Sequence, residues 1–367
     1  MNTVDENLHG GLPKISFRND YSEGAHPRLL ETLAQASAEQ NSGYGLDRHS
    51  LAAATSIRAR LGRDDADVHF LSGGTQTNLT ALAAFLRPHE AVIAAASGHI
   101  ATHETGAIEA TGHKVIALPS TDGKLTPAMI QPVLDEHDNE HMVSPRLVYV
   151  SNSTELGTIY SREELTALHF FCRTNGLYLY LDGARLGSAL TASGNDLDLA
   201  GIATLTDAFY IGGTKNGALL GEALVILTPE LKSDFRYFIK QRGAMLAKGM
   251  VLGAQFEALF RDELFFELAG HANGLAQRLR DAIVAAGFAL ASDSPSNQLF
   301  PVLPRSLVAR LQERYEFELW RPVDEATQVI RLVTSWATTV QAVDTFIGDF
   351  NMLSGRSVPM RVETQGN

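Results

Sequence analysis

One lysine has a sequence setting that can make its amine neutral and nucleophilic. Lys215 lies in the glycine-rich segment 212–217, directly after the apolar run 208–211. A lysine at such a strand end lies near the interior, where loss of water favours the uncharged amine. Only the uncharged amine can form an imine with an aldehyde. A solvated loop lysine is the simpler interpretation of this segment when it is taken alone.

A second strand end carries an acidic and a basic residue. Asp182 and Arg185 directly follow the apolar run 177–181. A carboxylate at this position can pair with a cationic ring nitrogen, and the guanidinium group can pair with an anion. An ion pair between Asp182 and Arg185 that caps a loop explains the same residues equally well.

A third strand end is followed by a segment typical of anion binding. The apolar run 68–71 leads into residues 72–78, in which Gly74 and Thr75 stand at the start of a helical pattern. Free backbone N–H groups, the helix dipole and a hydroxyl can together bind a phosphate. The segment has no Gly-Lys-Ser/Thr ending and no dinucleotide fingerprint, so binding of a nucleoside triphosphate is disfavoured. A glycine-rich turn without a ligand is the alternative.

Together the three segments supply what one cofactor needs. Pyridoxal 5′-phosphate (PLP) requires a phosphate site, an acidic partner for its ring nitrogen and an amine that forms an imine with its aldehyde. Residues 72–78, Asp182 and Lys215 follow one another in that order, and the interval between the last two is long enough for one helix. The residues therefore predict a PLP enzyme with the cofactor attached to Lys215.

The elements around these segments predict a parallel sheet that would bring them together. Short β-rich runs alternate with helical patterns from about residue 25 to 228, which favours a mainly parallel sheet with helices on both faces. Ligands of such sheets bind at the carboxyl ends of the strands. Because only residues 214–222 separate the last two runs, these should pair antiparallel. The seven candidate strands are residues 68–71, 91–95, 114–118, 146–150, 177–182, 208–211 and 223–227.

After residue 228 the pattern changes, and a second domain is expected. Helical patterns cover residues 229–261 and 262–286, short strands follow near 298–301, 317–320 and 329–333, and a last helix covers 339–353. A chain of 367 residues also exceeds the usual size of a single hydrophobic core. We predict an α/β fold with a mixed, mostly parallel seven-stranded sheet and a smaller C-terminal α+β domain. The predicted divisions are an N-terminal arm 1–16, a large PLP-binding domain 17–245 and a small domain 246–360.

Charge and composition narrow the classes of partner. The formal net charge of −12 argues against nucleic acid and anionic membranes, because both require a basic surface. Cys172 is the only cysteine, so no intramolecular disulfide can form. No secretory signal or apolar run of membrane-spanning length is evident. These features predict a cytoplasmic enzyme that acts on a small molecule.

The sequence resembles the threonine aldolase group of PLP enzymes, which is the β-eliminating lyase family within the aspartate-aminotransferase fold. The resemblance runs from about Phe17 to Leu353. It implies retro-aldol cleavage of L-threonine and L-allo-threonine to glycine and an aldehyde. A phenylserine aldolase or a β-eliminating amino-acid lyase is the alternative within the family. The segments that carry the resemblance are 17–22, 43–45, 72–78, 98–99, 182–185, 212–215 and 330–334.

The resemblance implies a role for each matching residue around the cofactor. Lys215 would form the imine, and Asp182 would bond the protonated ring nitrogen. Gly74 and Thr75 would bind the phosphate. His99 would stack on the ring face and is a candidate general base.

The resemblance also implies residues for the substrate and a role for neighbouring subunits. Arg331 would grip the substrate carboxylate, with Arg185 at the cofactor 3′-oxygen or the carboxylate, and Asn19 close by. Tyr44 and Lys248 would reach the site across a subunit boundary in a homotetramer built as a dimer of dimers.

Two departures from the family pattern bear on the chemistry. Many members have a histidine where this chain has Thr154 or Glu155, so the base at the β-hydroxyl would be His99 alone or a water. This departure motivates the β-elimination or bulky-substrate alternative. The usual phosphate-reaching arginine is also absent from residues 241–248, where Lys248 or Arg242 would replace it.

Two further classes of function are disfavoured. His99 and His103 are spaced four residues apart, with Glu104 next and His113 nearby, but the glutamate of zincins lies between the histidines. We therefore predict no metal site. A purely structural or binding protein would leave Asp182 and Lys215 unexplained together.

Overall fold

The computed structural model describes residues 14–355, which form thirteen strands and thirteen α-helices. The predicted arm 1–16 therefore lies mostly outside the described residues. The strands are β1 Ile15–Ser16, β2 Asp67–Leu71, β3 Glu90–Ala95, β4 Val115–Leu118, β5 Ser144–Ser151, β6 Tyr178–Asp182, β7 Ala208–Gly212, β8 Glu222–Ile226, β9 Gln298–Leu299, β10 Val302–Pro304, β11 Tyr315–Glu316, β12 Glu318–Pro322 and β13 Thr327–Val333. The helices are α1 Pro27–Ala36, α2 Arg48–Leu61, α3 Gly74–Phe85, α4 His99–Thr102, α5 Pro127–Glu136, α6 Arg162–Thr174, α7 Leu186–Leu190, α8 Leu199–Leu205, α9 Phe235–Gln241, α10 Met250–Arg261, α11 Leu264–Ala285, α12 Arg305–Gln312 and α13 Val340–Leu353.

The main sheet has seven strands in the order β2-β8-β7-β6-β5-β3-β4. All seven coincide with the predicted runs to within a few residues. β8 is antiparallel to both of its neighbours, β2 and β7, whereas the remaining pairs are parallel. The short link between β7 and β8 has no room for a crossover helix, which explains the one antiparallel strand. The predicted mixed, mostly parallel sheet is confirmed.

Helices cover both faces of this sheet, as the alternating burial of its strands requires. Along β5, Val148 and Val150 belong to one apolar cluster and Leu147 and Tyr149 to another. Helix α6 packs into the first cluster, and α3 packs into the second. Strands buried on both faces are typical of parallel sheets, and they leave the strand ends as the accessible part of the layer.

The sequence signal for the start of α6 is confirmed. Ser161 is the N-cap and accepts a hydrogen bond from the backbone N–H of Glu164, whose side chain accepts one from the Ser161 N–H. This reciprocal pair is a capping box, and it satisfies donors that the first helical turn leaves free.

The prediction of one long helix over residues 229–261 is wrong. A short 3₁₀ turn, Pro229–Leu231, is followed by α9 and, after a break at 242–249, by α10. Gly243 lies in the break with a φ of 71°, a left-handed conformation that ends a helix. The following α11 is continuous over 22 residues.

The C-terminal region forms a smaller α+β unit, as predicted. β10, β13 and β12 pair antiparallel, and β9 joins β13. α11, α12 and α13 contribute to the apolar cluster of this region, together with Phe17. β1 pairs in parallel with β11, so the start of the described chain is tied to this unit. The domain boundaries remain a prediction. Among residues 14–355, no helix is both long and apolar enough to cross a membrane.

The ends of β6 and β7 approach each other very closely. A Cβ atom added to Gly183 would lie 1.8 Å from the backbone oxygen of Tyr210. The backbone N–H of Gly212 also donates to the Gly183 carbonyl, at 2.9 Å. Because the obstacle is backbone, no side-chain rotation can relieve it, so the glycine after Asp182 is required for this contact.

We expect Gly183→Ala to lower the free energy of unfolding by about 3 kcal/mol or more, because the added methyl group forces two strand ends apart. The matched control is Gly274→Ala, at an exposed position of α11 where a Cβ meets nothing within 4 Å. This control should raise stability by up to about 1 kcal/mol through helix propensity. Urea unfolding of both variants measures the difference, and equal midpoints would contradict the close approach.

Candidate active site

The carboxyl ends of the parallel strands open on one cavity of about 380 Å³. Loops after β2, β3, β5, β6 and β7 line it. Six of the residues that the sequence singled out line this cavity together: Gly74, Thr75, His99, Asp182, Arg185 and Lys215.

A second cavity of about 390 Å³ adjoins the first and extends towards the C-terminal unit. It shares His99, Arg185 and Lys215 with the first cavity and adds Asn19 and Arg331. The first cavity therefore contains the predicted cofactor residues other than Lys248, and the second contains the predicted carboxylate-binding residues.

Tyr44 and Lys248 lie outside both cavities. Tyr44 is half exposed and lines a separate cavity between α2 and α9, with the Lys240 ammonium 4.8 Å from its ring centre. Lys248 is exposed in the break before α10. A contribution of either residue to a neighbouring subunit's site remains a prediction.

Asp182 is fixed in place by four hydrogen bonds. Its Oδ1 accepts from the Ala184 N–H at 2.9 Å and the Tyr210 hydroxyl at 2.5 Å. Its Oδ2 accepts from the Asn78 amide at 3.0 Å and the Tyr149 hydroxyl at 2.5 Å. Burial, followed by the charge of Asp182, raises the pKa of both tyrosines well above the usual range. The two hydroxyls therefore stay protonated and act as donors to a rigid carboxylate.

Lys215 is held in surroundings that favour its neutral form. Burial, reinforced by the neighbouring Arg185 charge, lowers the pKa of its amine, while Asp20, Asp182 and Glu222 oppose the shift. Burial also raises the pKa of Glu222 to about 8, so this carboxyl tends to be neutral beside the lysine.

Glu222 was not singled out from the sequence. A carboxyl group at the start of the apolar strand β8 is unusual and could have indicated it. It lies opposite Gly212 in the β7–β8 register and accepts the Gly213 N–H at 3.1 Å.

Arg185 forms its ion pair with Asp20, not with Asp182. The Nε atom of Arg185 lies 2.7 Å from Asp20 Oδ2, and its NH2 lies 3.0 Å from Oδ1. Burial alone would raise the pKa of Asp20, but Arg185 and Lys215 lower it below the usual range. The alternative interpretation, an ion pair between Asp182 and Arg185 that caps a loop, is therefore wrong. Asp20 was given no role from the sequence.

His99 is oriented by two glutamates. Its Nδ1 lies 2.8 Å from Glu104 Oε1, and its backbone N–H donates to Glu155 Oε1 at 2.9 Å. Burial raises the pKa of Glu104. The His103 ring lies 5.5 Å from that of His99. Within residues 14–355 no three His, Cys, Asp or Glu side chains are grouped to hold a metal ion.

Arg331 presents its guanidinium group in the second cavity. It pairs with Glu318, with 2.5 Å between NH2 and Oε2, and lies 5.1 Å from the centre of the Trp320 ring. Its Nε is buried without a hydrogen-bond partner among the described residues. Glu318 is partly exposed and can be displaced by a substrate carboxylate, which would also satisfy the unused donor. Neither Glu318 nor Trp320 was singled out from the sequence.

The start of α3 is suited to an anion. Gly73 is its N-cap and offers no side-chain hydrogen bond, so the first N–H groups of the helix lack that partner. A Cβ on Gly74 would lie 3.1 Å from the Tyr210 hydroxyl oxygen and would narrow the cavity. Thr75 lines the same cavity.

These features fit PLP, with the helix start for its phosphate, Asp182 for its ring nitrogen and Lys215 for its aldehyde. Because Asp182 already accepts four hydrogen bonds, a ring N–H would share an oxygen with a tyrosine hydroxyl or displace it.

The chain is similar to known proteins over most of its length. The beta-eliminating lyase family model matches residues 17–303. A low-specificity L-threonine aldolase from Pseudomonas aeruginosa is 31% identical over 343 residues, which cover 92% of this chain and 98% of that protein. Another from a Pseudomonas species is 33% identical over 301 residues, covering 81% and 84% of the two chains.

The chain is also similar to solved structures, which show its fold class. A threonine aldolase from Leishmania major superimposes with a TM-score of 0.92 at 52% identity, over 93% of this chain and 99% of that one. Aspartate aminotransferase from Thermus thermophilus gives a TM-score of 0.70 at 16% identity, over 94% and 92% of the two chains. The predicted aspartate-aminotransferase-like fold is confirmed.

Protein freed of cofactor, incubated with PLP and reduced with borohydride, should carry a pyridoxyl group on Lys215. Because the pKa of this amine is lowered, attachment should persist at pH values where an ordinary lysine is fully protonated, and it should slow as pH falls through the lowered pKa. Peptide mapping measures the label.

Lys215→Arg is the matched control, since it keeps a cation but cannot form an imine. Equal labelling of several surface lysines in the wild-type protein would contradict the assignment.

Proposed function

The chain belongs to the beta-eliminating lyase family, and we propose that it is a PLP-dependent carbon–carbon lyase that cleaves L-threonine and L-allo-threonine to glycine and acetaldehyde. The observation that carries this proposal is the meeting of Lys215, Asp182 and the start of α3 in one cavity. The low-specificity L-threonine aldolases and the Leishmania threonine aldolase that the chain resembles over most of its length support the same activity.

Groups that follow or end four strands, β2, β3, β6 and β7, would hold the cofactor. The N–H groups at the start of α3 and the Thr75 hydroxyl would bind the phosphate, Asp182 would hold the ring nitrogen, His99 would lie against the ring, and Lys215 would provide the covalent attachment. When bound, PLP supplies an electron sink for the bonding pair left on the substrate α-carbon. The four fixed hydrogen bonds of Asp182 keep its negative charge at the ring nitrogen without reorganisation during the reaction.

The substrate carboxylate would bind in the second cavity. Arg331 offers a planar pair of donors that matches a carboxylate, and Glu318 now occupies that position. Asn19 and Arg185 line the same cavity and can add donors from the opposite side. A carboxylate held there places the α-carbon beside Lys215, which lines both cavities.

The residues around the cavity disfavour binding of a nucleoside triphosphate. The fixed Asp182 and Lys215, whose pKa burial lowers, suit a ring cofactor, and the glycine-rich segment 72–78 lacks the Gly-Lys-Ser/Thr ending of the usual nucleotide site. Within the family, β-elimination and cleavage of bulkier β-hydroxy amino acids are the alternatives. The curated relatives favour threonine cleavage. Elimination releases ammonia and a keto acid, so the products separate the two reactions.

We also propose that the enzyme works as a tetramer built from dimers. Tyr44, Arg242 and Lys248 line neither active-site cavity of their own subunit, and the Tyr44 N–H donates to the carbonyl of Ala247, next to Lys248. This placement suits residues that complete a neighbour's phosphate site, because Arg185, the arginine that lines the first cavity among residues 14–355, is already paired with Asp20. A cytoplasmic location is part of the same proposal, and the single buried Cys172 accords with it.

Purified protein with PLP should release glycine and acetaldehyde in equal amounts from L-threonine and L-allo-threonine. Lys215→Ala should abolish cleavage, and Arg331→Lys should raise KM about 10- to 100-fold, because a bidentate contact to the carboxylate becomes a single one. Coupled dehydrogenase assay and amino-acid analysis give both products. Failure to release an aldehyde from any β-hydroxy amino acid would end the proposal.

Mixing two inactive variants tests the subunit arrangement. If Lys248 acts across the boundary, hybrids of Lys215→Ala and Lys248→Ala contain one site with both lysines intact. Refolding an equal mixture should then recover about a quarter of wild-type activity, since half of the dimers are hybrids with one good site each. Activity no higher than the mean of the separate variants would instead place Lys248 in its own subunit's site or outside any site.

A further inference from the structure

Glu155 lies at the junction of the two cavities, although no role was assigned to it from the sequence. It follows β5 in the turn that leads to α6 and lines both the Lys215–Asp182 cavity and the Arg331 cavity. A substrate whose carboxylate binds Arg331 and whose α-carbon lies beside Lys215 must direct its β-substituent towards groups shared by both cavities. Glu155 is therefore placed on the path of the β-hydroxyl group.

The two oxygens of Glu155 have different surroundings. Oε1 accepts hydrogen bonds from the His99 N–H at 2.9 Å and the Ser151 hydroxyl at 2.8 Å, which fix the carboxyl group. Oε2 is buried and has no hydrogen-bond partner among residues 14–355. A buried acceptor without a partner is unfavourable in a folded protein unless a ligand, a water or a proton satisfies it.

The electrostatics favour an exchangeable proton on this group. Burial, with the charge of Asp182, raises the pKa of Glu155, while the Ser151 hydrogen bond and His99 oppose the shift. A carboxyl group whose pKa moves towards neutrality is a better general base than an ordinary glutamate. The charged and titratable side chains that line the two cavities with it are Arg18, Tyr21, His99, His103, Asp182, Arg185, Tyr210, Lys215, Glu222, Glu318 and Arg331.

The histidines nearby are less free to act on the substrate. His99 already bonds Glu104 through Nδ1 and is the residue expected against the cofactor ring. Burial lowers the pKa of His103, and the neighbouring His99 and Arg331 lower it further. Glu155 alone combines a fixed carboxyl group, an unsatisfied oxygen and a place in both cavities.

We propose that Glu155 is the catalytic base for the β-hydroxyl group, and this inference rests on the proposed retro-aldol function. Glu155 Oε2 takes the hydroxyl proton as the Cα–Cβ bond breaks. The O–H bonding pair becomes the second bond of the aldehyde C=O, and the Cα–Cβ pair remains with the α-carbon. The α-carbon then takes a proton from solvent, and Glu155 releases its own to solvent, so no net proton is consumed.

Glu155→Gln is the decisive variant, because its amide oxygen can still accept from His99 and Ser151 but cannot remove a proton. We expect kcat for threonine cleavage to fall about 10²- to 10⁴-fold with little change in KM, and the lower-pH limb of the kcat profile to disappear. Glu155→Asp keeps the carboxyl group and should retain part of the activity.

A partial reaction separates this inference from the proposed function. Exchange of a glycine α-hydrogen with deuterated water needs the cofactor and Lys215 but involves no β-hydroxyl group. Glu155→Gln should therefore exchange glycine at near the wild-type rate while cleavage is lost. Cleavage of threonine by the wild-type protein tests the proposed function separately, because it does not depend on the variant.

A measurement on the cofactor-free protein makes the test independent of turnover. Infrared difference spectra between the wild type and Glu155→Gln should show a protonated carboxyl band that persists above the ordinary titration range of glutamate. Wild-type kcat and pH profile in Glu155→Gln would overturn the proposal, as would equal loss of cleavage and exchange. Absence of the infrared band from both Glu155→Gln and Glu155→Asp difference spectra would also overturn it.

Discussion

The position of the buried Asp182 carboxylate depends on the neighbouring strands of the central sheet and on α3. Asp182 ends β6, Tyr149 reaches it from β5, Tyr210 from β7, and Asn78 from α3. Pairing of Ser151 with Asp182 and of Tyr180 with Ala208 sets the register that brings the hydroxyls within reach. A slip of one residue in either pair would turn these side chains to the opposite face. The register of the sheet therefore determines the surroundings of the carboxylate that would hold the cofactor ring.

The cavity gathers opposite charges within a chain that is strongly acidic overall. The basic residues that line the cavities are Arg18, Arg185, Lys215 and Arg331, and carboxyl groups surround them. Asp20 neutralises Arg185, whereas buried Glu222 tends to be protonated. The cationic groups that remain can bind a phosphate and a substrate carboxylate despite the net charge of −12. The buried groups around the cavity, and not the net charge of the whole chain, therefore determine which ligand can bind.

The sequence predicts the strands well, and it singles out residues that the fold brings into one cavity, because both signals are short-range patterns. Apolar runs mark the strands, and glycines beside Lys215 and Thr75 mark their functional ends. The unpredicted residues act through contacts between distant segments. Asp20 meets a partner 165 positions away, and nothing in its local sequence indicates this. The break before α10 was missed because a single glycine interrupts an otherwise helical pattern, and helical periodicity alone does not reveal its left-handed conformation.

The place of β2 at the edge of the sheet has a consequence for biosynthesis. Among the strands of residues 14–355, β2 pairs only with β8, whose residues follow it by some 150 positions. Chains leave the ribosome from the N-terminus, so the strand that precedes the anion-binding turn must wait without a partner until β8 has been made. A nascent chain that stops short of residue 222 would expose this apolar strand, and chaperones would have to shield it until translation passes that point.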